Sequence, residues 1–335
     1  MKKTIFAAMM ASTMIGQAHE GHEHPPAGKV VTSVQETGNG QFRFATVPGF
    51  AAMPDGANVG PTHGGIAVDG EGFVYVSTEA DHGVVKFDQD GKFVTSFGPE
   101  TKALHSLATV GEGEQEALIG AAVSAEKVLK LDREGQILLT IPNENTGEIP
   151  GGFKGVTAVT VGPEGHFYVA CGYGSNLIHK FDASGKILKT AGGRGAEDGK
   201  FTTCHGISLD TRGEAPLLLV CDRENRRLVH LDLELNFKGV HATHLRRPCA
   251  VSIWGEHVAV AELEGRVTIL GKHGQPLAFL GDQPDKNLWA KKPIPAEQLY
   301  DGLFTSPHGL SWDNEGNIIV QDWNAIGRVT KLERL

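Results

Sequence analysis

The stretch GIAVDGEGFVYVSTEADHGVVKFDQDGKFVTSF, residues 65–97, contains four short apolar runs separated by turn residues. Apolar and polar residues alternate along each run, which is typical of β-strands that bury one face. The segment Asp88-Gln89-Asp90-Gly91 separates the last two runs and is a hairpin signal. The stretch therefore predicts one four-stranded antiparallel sheet.

The same pattern recurs at intervals of about 40 to 60 residues, which indicates an internal repeat. Five further copies open at His105, Val156, His205, Cys249 and His308. Each small sheet can bury its apolar face only against neighbouring copies, so six copies predict a closed ring. We therefore expect an all-β fold, a six-bladed β-propeller that spans residues 41–335.

The two ends of the chain are expected to meet in the last blade. The sixth copy supplies only three strands before Leu335, whereas the apolar run at residues 42–47 belongs to no copy. We predict that this N-terminal run completes the sixth blade. Two connections, residues 143–154 and 281–305, are longer than the others, and we expect both to lie over one mouth of the central channel.

Three histidines share one position of the repeat. His105, His205 and His308 open the second, fourth and sixth copies, and each is followed two residues later by Leu or Ile. Alternate blades of a six-bladed ring lie ~120° apart, so the three imidazoles would meet on the axis. Three imidazole ligands and one open position are typical of a catalytic zinc site. The alternative is that these histidines line a water-filled channel without a metal.

Two other residues lie close to this position of the repeat. His63 is one residue out of register in the first copy, and a β-bulge at Gly64-Gly65 would redirect its side chain. We predict that His63 is an additional metal ligand or a substrate contact. Cys249 occupies the histidine position in the fifth copy, where its sulfur either joins the metal or packs as a small apolar group.

The N-terminal residues predict export. Lys2-Lys3, the apolar stretch from Ile5 to Ile15 and Gly16-Gln17-Ala18 follow the order of a secretory signal peptide. We expect residues 1–18 to be removed and the mature protein to be secreted or periplasmic. Residues 19–40 are expected to be flexible and begin with a histidine-rich tract, which either captures a transition metal loosely or is incidental. No later segment approaches ~18 uninterrupted apolar residues, so no membrane span is predicted after cleavage.

Charge and cysteine content restrict the partners. The formal net charge of -9 argues against nucleic acid or an anionic membrane, because such partners require a basic face. We expect a small-molecule or peptide substrate and a monomeric protein. In an oxidising compartment the cysteines either pair or remain buried thiols, and the sequence leaves the choice open for Cys171, Cys204, Cys221 and Cys249.

Three segments resemble those of NHL-repeat six-bladed propellers, in particular the peptidyl-α-hydroxyglycine amidating lyases, also called peptidylamidoglycolate lyases. They are CGYGSN at residues 171–176, CDRENRR at 221–227 and SPHG at 306–309. The resemblance covers the chain from roughly Pro61 to the C-terminus, and its motifs are moderately specific.

The resemblance implies a lyase site. It implies a catalytic zinc ion on His105, His205 and His308, with Tyr173 in proton transfer and Arg223 holding the substrate carboxylate. It also implies calcium as a structural ion. In the implied reaction zinc binds the hydroxyl and carboxylate of an α-hydroxyglycine end, Tyr173 takes the hydroxyl proton, and the C–N bond breaks to give amide and glyoxylate.

The chain departs from this family in one respect and leaves other functions open. A first-blade arginine is expected near Thr78-Glu79, where the sequence reads Ser77-Thr78-Glu79-Ala80. Arg223 could instead form an ion pair with Glu224 or Asp222, and Tyr173 could be a packed aromatic at the rim. The alternative function is a non-catalytic NHL-repeat propeller that binds a protein or glycan partner. A calcium-dependent lactonase-like hydrolase is disfavoured, because it requires carboxylates where this chain has histidines.

Overall fold

The computed structural model describes residues 33–335. This part of the chain forms 25 β-strands and six short 3₁₀-helices, and the strands make six antiparallel sheets. The predicted signal peptide, residues 1–18, and the histidine-rich start of the segment 19–40 lie outside the described residues. Among residues 33–335 no helix has the length and apolar character needed to cross a membrane.

The strands follow one another blade by blade. Two strands precede the first blade, β1 (Glu36–Asn39) and β2 (Phe42–Val47). Blade 1 contains β3 (Thr62–Val68), β4 (Val74–Thr78), β5 (Val84–Phe87) and β6 (Phe93–Ser96). Blade 2 contains β7 (Leu104–Val110), β8 (Ala117–Ala122), β9 (Lys127–Leu131) and β10 (Ile137–Ile141). Blade 3 contains β11 (Ala158–Val161), β12 (Phe167–Ala170), β13 (Leu177–Phe181) and β14 (Ile187–Gly192).

The second half of the chain repeats this order. Blade 4 contains β15 (Cys204–Asp210), β16 (Leu217–Asp222), β17 (Arg227–Leu231) and β18 (Phe237–Ala242). Blade 5 contains β19 (Pro248–Trp254), β20 (His257–Glu262), β21 (Arg266–Leu270) and β22 (Pro276–Leu280). Blade 6 begins with β23 (Pro307–Trp312), β24 (Ile318–Asp322) and β25 (Val329–Arg334). The 3₁₀-helices are Pro54–Gly56, Pro99–Thr101, Gly113–Gln115, Pro163–Gly165, Lys286–Leu288 and Ala296–Gln298.

The N-terminal strand closes the ring, as predicted. The sixth sheet has the order β1-β2-β25-β24-β23, and β2 pairs with β25 from Phe44↔Arg334 to Val47↔Lys331. The innermost strands contact one another around the axis, and β23 of the last blade contacts β3 of the first. The six-bladed β-propeller is therefore confirmed.

The folded part of the chain begins before Gln41, which corrects the boundary expected from the sequence. Strand β1 pairs with β2 from Glu36↔Ala45 to Asn39↔Phe42, so it lies inside the segment 19–40 that was expected to be flexible. The two strands are joined by the two-residue turn Gly40-Gln41, in which Gly40 has a φ of 55°. Glycine at the first central position of a two-residue turn favours a hairpin.

Repeated aspartates fix the turns that separate the strands. In the turns after the third strands, a carboxylate oxygen accepts the backbone N–H groups of the residues two and four positions later. The four residues with this arrangement are Asp88, Asp132, Asp182 and Asp232. The recurrent Asp in the sequence is thus a local turn signal, which keeps each third and fourth strand in register.

The apolar core lies between the blades. Phe42 and Phe44 on β2 are 2% and 0% exposed, and they pack with Val267 of blade 5 and Trp312 of blade 6. Further apolar clusters lie between the remaining neighbouring sheets. Each blade is therefore stabilised mainly by its neighbours, and the closing strand belongs to the interface between the last two blades.

The two long connections lie in different places. The connection 281–305 reaches the end of the ring where the innermost strands begin, because Lys292 pairs there with Glu79. The connection 143–154 begins beside the outer strand of blade 3: Ile187 N–H donates to the carbonyl of Thr146 at 3.1 Å. Its last residues return to the mouth, where Lys154 lies against Gly174 next to Tyr173. The first half of this connection therefore lies away from the mouth, contrary to the expectation that the whole of it covers the mouth.

Candidate metal centre

In five of the six blades, all except blade 3, a β-bulge lies near the start of the innermost strand. In β7 the pairing jumps from Leu104↔Ala122 to Ser106↔Ala121, which leaves His105 without a partner on the adjacent strand. The same irregularity occurs at His205 in β15 and at His308 in β23. A bulge bends its strand and re-aims the extra side chain, and in these three blades it directs an imidazole into the channel.

The three predicted ligands converge around one phenol oxygen. The Nε2 atoms of His105, His205 and His308 lie 3.2, 2.9 and 3.4 Å from Oη of Tyr173. The Nε2 atoms of His105 and His308 are 3.2 Å apart. Two nitrogens bound to zinc in a tetrahedron at about 2.0 to 2.1 Å lie roughly 3.4 Å apart, so this spacing fits a metal ligand pair.

Backbone carbonyls of neighbouring blades orient two of the three rings. Nδ1 of His105 donates to the carbonyl of Thr157 at 2.7 Å, and Nδ1 of His205 donates to the carbonyl of Cys249 at 2.7 Å. Nδ1 of His308 is buried and has no hydrogen-bond partner among the described residues. A donating Nδ1 leaves Nε2 with its lone pair directed at the axis, which is the arrangement found at metal-binding histidines.

Burial keeps these histidines neutral. Their exposed fractions are only 2% to 3%, and desolvation lowers the pKa of His105, His205 and His308 well below the usual value. The positive charge of Arg223 acts in the same direction on all three rings. Neutral imidazole is the form that binds a metal, so no proton has to be removed from the rings first.

Tyr173 covers the three histidines from the side of the solvent. It lies in the connection between β12 and β13, and the residue is 39% exposed although its hydroxyl group contacts the histidines. Burial of that hydroxyl raises the pKa of Tyr173 to about 12, while Arg223 acts to lower it. The phenol is therefore protonated at neutral pH in the protein without a bound ion.

Arg223 forms the ion pair with Glu224 that the sequence presented as one alternative, and it also contacts Tyr173. Its Nη1 donates to Oη of Tyr173 at 3.1 Å, and its Nε donates to Oε1 of Glu224 at 2.9 Å. Arg247 from the fifth blade binds the same carboxylate, with Nη2 2.7 Å from Oε1. Sequence reasoning missed Arg247, because its position before β19 has no motif that distinguishes it. The shared Glu224 fixes both guanidinium groups at the mouth.

His63 lies beside the centre in a second set of contacts. Its ring is 4.7 Å from the ring of His105 and 5.1 Å from that of His308, centroid to centroid, and it stacks on Trp323 at 5.6 Å. Its Nδ1 is 3.5 Å from Oε1 of Glu79, and Oε2 of the same carboxylate accepts a hydrogen bond from Nζ of Lys292. Near the place where the resemblance implies a first-blade arginine, the acidic residue Glu79 thus connects His63 to the long connection 281–305.

The candidate ligand atoms form two overlapping groups. Nitrogen atoms of His63, His105 and His308 lie within 4.8 Å of one another, and so do the ligand atoms of His205, Cys249 and His308. The two groups share His308, and neither of them contains both His105 and His205. The donor set of imidazoles and one sulfur fits a borderline or soft transition metal and does not fit calcium, which prefers oxygen ligands. All four cysteines of the chain are buried and unpaired.

The surroundings of the centre define a direction of approach. Two residues further along the innermost strands, the axial cavity is lined by apolar side chains, which include Leu107, Ile207 and Leu310. Tyr173 and Arg223 lie on the opposite side of the histidines. A guanidinium group is therefore available to a substrate carboxylate on the Tyr173 side.

Comparisons with known proteins agree with this fold. No protein-family profile matches the chain. A segment of 110 residues is 32% identical to a probable peptidyl-α-hydroxyglycine α-amidating lyase of Caenorhabditis elegans. The match covers 32% of this chain and 31% of that relative.

Solved structures extend the similarity over most of the chain. A streptogramin B lyase matches with a TM-score of 0.58 and 14% identity, over 90% of this chain and 97% of its own. A gluconolactonase of Xanthomonas campestris matches with a TM-score of 0.60 and 13% identity, over 92% and 98%. Virginiamycin B lyase of Staphylococcus aureus matches with a TM-score of 0.52 and 17% identity, over 82% and 95%. At these identities the similarity shows the propeller fold alone.

Proposed function

We propose that this chain is an exported, zinc-dependent C–N lyase that acts on a small substrate or peptide end carrying a carboxylate and a hydroxyl group. One observation carries the proposal: three neutral imidazole nitrogens, a phenol and a guanidinium group meet at one point of the axis. The partial similarity to an amidating lyase supports the α-hydroxyglycine end as the substrate class. Structural calcium remains a prediction of the family resemblance.

The residues at the mouth can bind and orient such a substrate. Arg223 is held by Glu224 through Nε, while its Nη1 is directed at the hydroxyl of Tyr173. A substrate carboxylate at this point would accept hydrogen bonds from a fixed guanidinium group, which positions the adjacent carbon near the histidines. Zinc bound by His105, His205 and His308 would supply a Lewis acid that polarises the substrate oxygens.

Tyr173 is the candidate proton acceptor. Its pKa of about 12 means that the phenol must lose its own proton before it can accept one, and the charge of Arg223 favours this loss. The phenolate oxygen would take the proton of the substrate hydroxyl, and the O–H electron pair would form the C=O bond. The C–N bond would break with its electrons remaining on nitrogen, and the proton taken up by Tyr173 would pass to that nitrogen, which completes the amide beside glyoxylate and restores the phenolate.

Metal content tests the proposal most directly. Purified wild-type protein should contain about one zinc ion per chain, since the two overlapping ligand groups share His308. His205→Ala should lose that ion. His179→Ala is the matched control, because His179 is also fully buried but lies away from the ligand groups in blade 3. Wild-type protein without stoichiometric metal, or a His205→Ala protein with the metal content of the wild type, would refute the proposal.

The substrate class is tested separately. A peptide that ends in α-hydroxyglycine should release glyoxylate in the presence of the loaded protein. Metal-loaded protein that releases none would exclude this substrate class and leave the metal site intact. Metal-free protein that still captures a protein or glycan would instead favour the non-catalytic propeller. Export stays part of the proposal, and a mature chain that begins at His19 in the secreted or periplasmic fraction would support it.

A further inference from the structure

Cys249 occupies the ligand position of the fifth blade. The pairing of β19 jumps from Pro248↔Glu262 to Ala250↔Ala261, so Cys249 is the extra residue of a β-bulge. The same feature places His105 and His308. The backbone therefore directs the Cys249 side chain as it directs the histidines, into the channel.

The thiol of Cys249 lies within reach of two ligand histidines. Its sulfur and the ligand nitrogens of His205 and His308 all lie within 4.8 Å of one another, and the residue is 1% exposed. Its carbonyl group also accepts the hydrogen bond that orients His205. The thiol makes a long contact, 3.7 Å, to the carbonyl of Arg247, and the guanidinium group of Arg223 also lies close to it.

We propose that the Cys249 thiolate is a further protein ligand of the axial metal, in addition to the histidines. This inference rests on the proposed function, because it requires a metal at the same centre. The thiol proton would leave to solvent when the sulfur–metal bond forms. A thiolate adds one negative charge and a soft donor, so the centre would select zinc, cobalt or copper against magnesium and calcium.

A thiolate ligand would change the number of ligands around the metal when a substrate oxygen binds. The thiolate would join His205 and His308 as protein ligands, and if His105 also binds the ion, a substrate oxygen would enter as a fifth ligand. Zinc sites in enzymes accept such an expansion, whereas a purely structural site stays closed. Cys249 is thus a ligand that restrains the ion before substrate binds.

Cobalt(II) spectroscopy distinguishes a sulfur ligand from a set made of nitrogens alone. Metal-stripped full-length protein is titrated with cobalt(II) chloride, and the absorption spectrum is recorded. A thiolate ligand gives an intense sulfur-to-cobalt charge-transfer band in the near ultraviolet, while d–d bands in the visible report bound cobalt in either case. The wild-type spectrum is decisive by itself, so the test does not depend on the folding of a variant.

The expected result is one bound cobalt with the charge-transfer band. Cys249→Ser should lose the band, keep the d–d bands and bind the ion at least about tenfold more weakly. Cys221→Ser is the matched control, because Cys221 is equally buried in blade 4 and belongs to neither ligand group; its spectrum should equal that of the wild type. Wild-type protein with bound cobalt and no charge-transfer band would overturn the role of Cys249 alone. Wild-type protein that binds no cobalt would overturn the metal centre itself.

Discussion

The closing strand β2 offers a sharp test of how the ring is stabilised. Phe44 lies at its centre with 0% exposure, and its ring is 6.3 Å from the ring of Trp312, centroid to centroid. Truncation of a fully buried phenylalanine costs about 3 to 5 kcal/mol, because apolar burial is lost and a cavity remains. Native domains have a total free energy of unfolding of only about 5 to 15 kcal/mol. Phe44→Ala should therefore remove a large part of the stability.

Chemical and thermal unfolding measure this loss. At about 2 to 4 °C per kcal/mol, the melting temperature of Phe44→Ala should fall by roughly 6 to 20 °C, with a matching fall in the urea midpoint. Arg43→Ala is the control on the same strand, because the Arg43 side chain is 54% exposed and points to the other face. A Phe44→Ala protein no less stable than Arg43→Ala would refute the packing of β2 in the interface between blades 5 and 6.

Two further predictions concern the centre and a buried ion pair. Tyr173→Phe should retain the metal, since the imidazoles are unchanged, while glyoxylate release falls roughly 10² to 10⁴-fold; undiminished release would exclude the phenol as proton acceptor. Burial alone would raise the pKa of Asp210, but Arg212 and His230 hold it well below its usual range. A depressed carboxyl pKa stabilises the fold above the unfolded-state value of about 3.9 and loses this effect as the pH falls below it. Asp210→Asn should thus cost about 3 to 5 kcal/mol at pH 7 and less at pH 3 in urea titrations, and an equal cost at both would contradict this.

Most of the fold followed from the repeat in the sequence. Period-two alternation within residues 65–97 and its five later copies determine the blades, and the unassigned run at 42–47 determines the closure. Strand β1 was missed, although the turn Gly40-Gln41 contains a hairpin signal, because its residues are polar and make few apolar contacts. The course of the first half of the connection 143–154 was also missed, since a loop that packs beside an outer strand has no periodic pattern.

The candidate site was predictable in position but not in detail. The shared position of three histidines is enough to place them on one axis once the number of blades is known. The β-bulges that aim the side chains depend on pairing between strands, which residue identity alone does not reveal. The contacts of Glu224 with Arg247 and of Glu79 with Lys292 join residues far apart in the chain. Such pairs become visible only when the blades are assembled.

Two candidate ligand rings, those of His105 and His205, donate hydrogen bonds to the carbonyl groups of Thr157 and Cys249. The orientation of these rings therefore depends on parts of the chain that are synthesised later. Each of these two imidazoles is held in place by the blade that is made after its own, and the third imidazole is supplied by the last blade. A growing polypeptide would therefore be unable to retain an ion until its final portion had emerged and joined the N-terminal strand. A bound metal ion would then indicate that the last blade has been synthesised and the ring has closed.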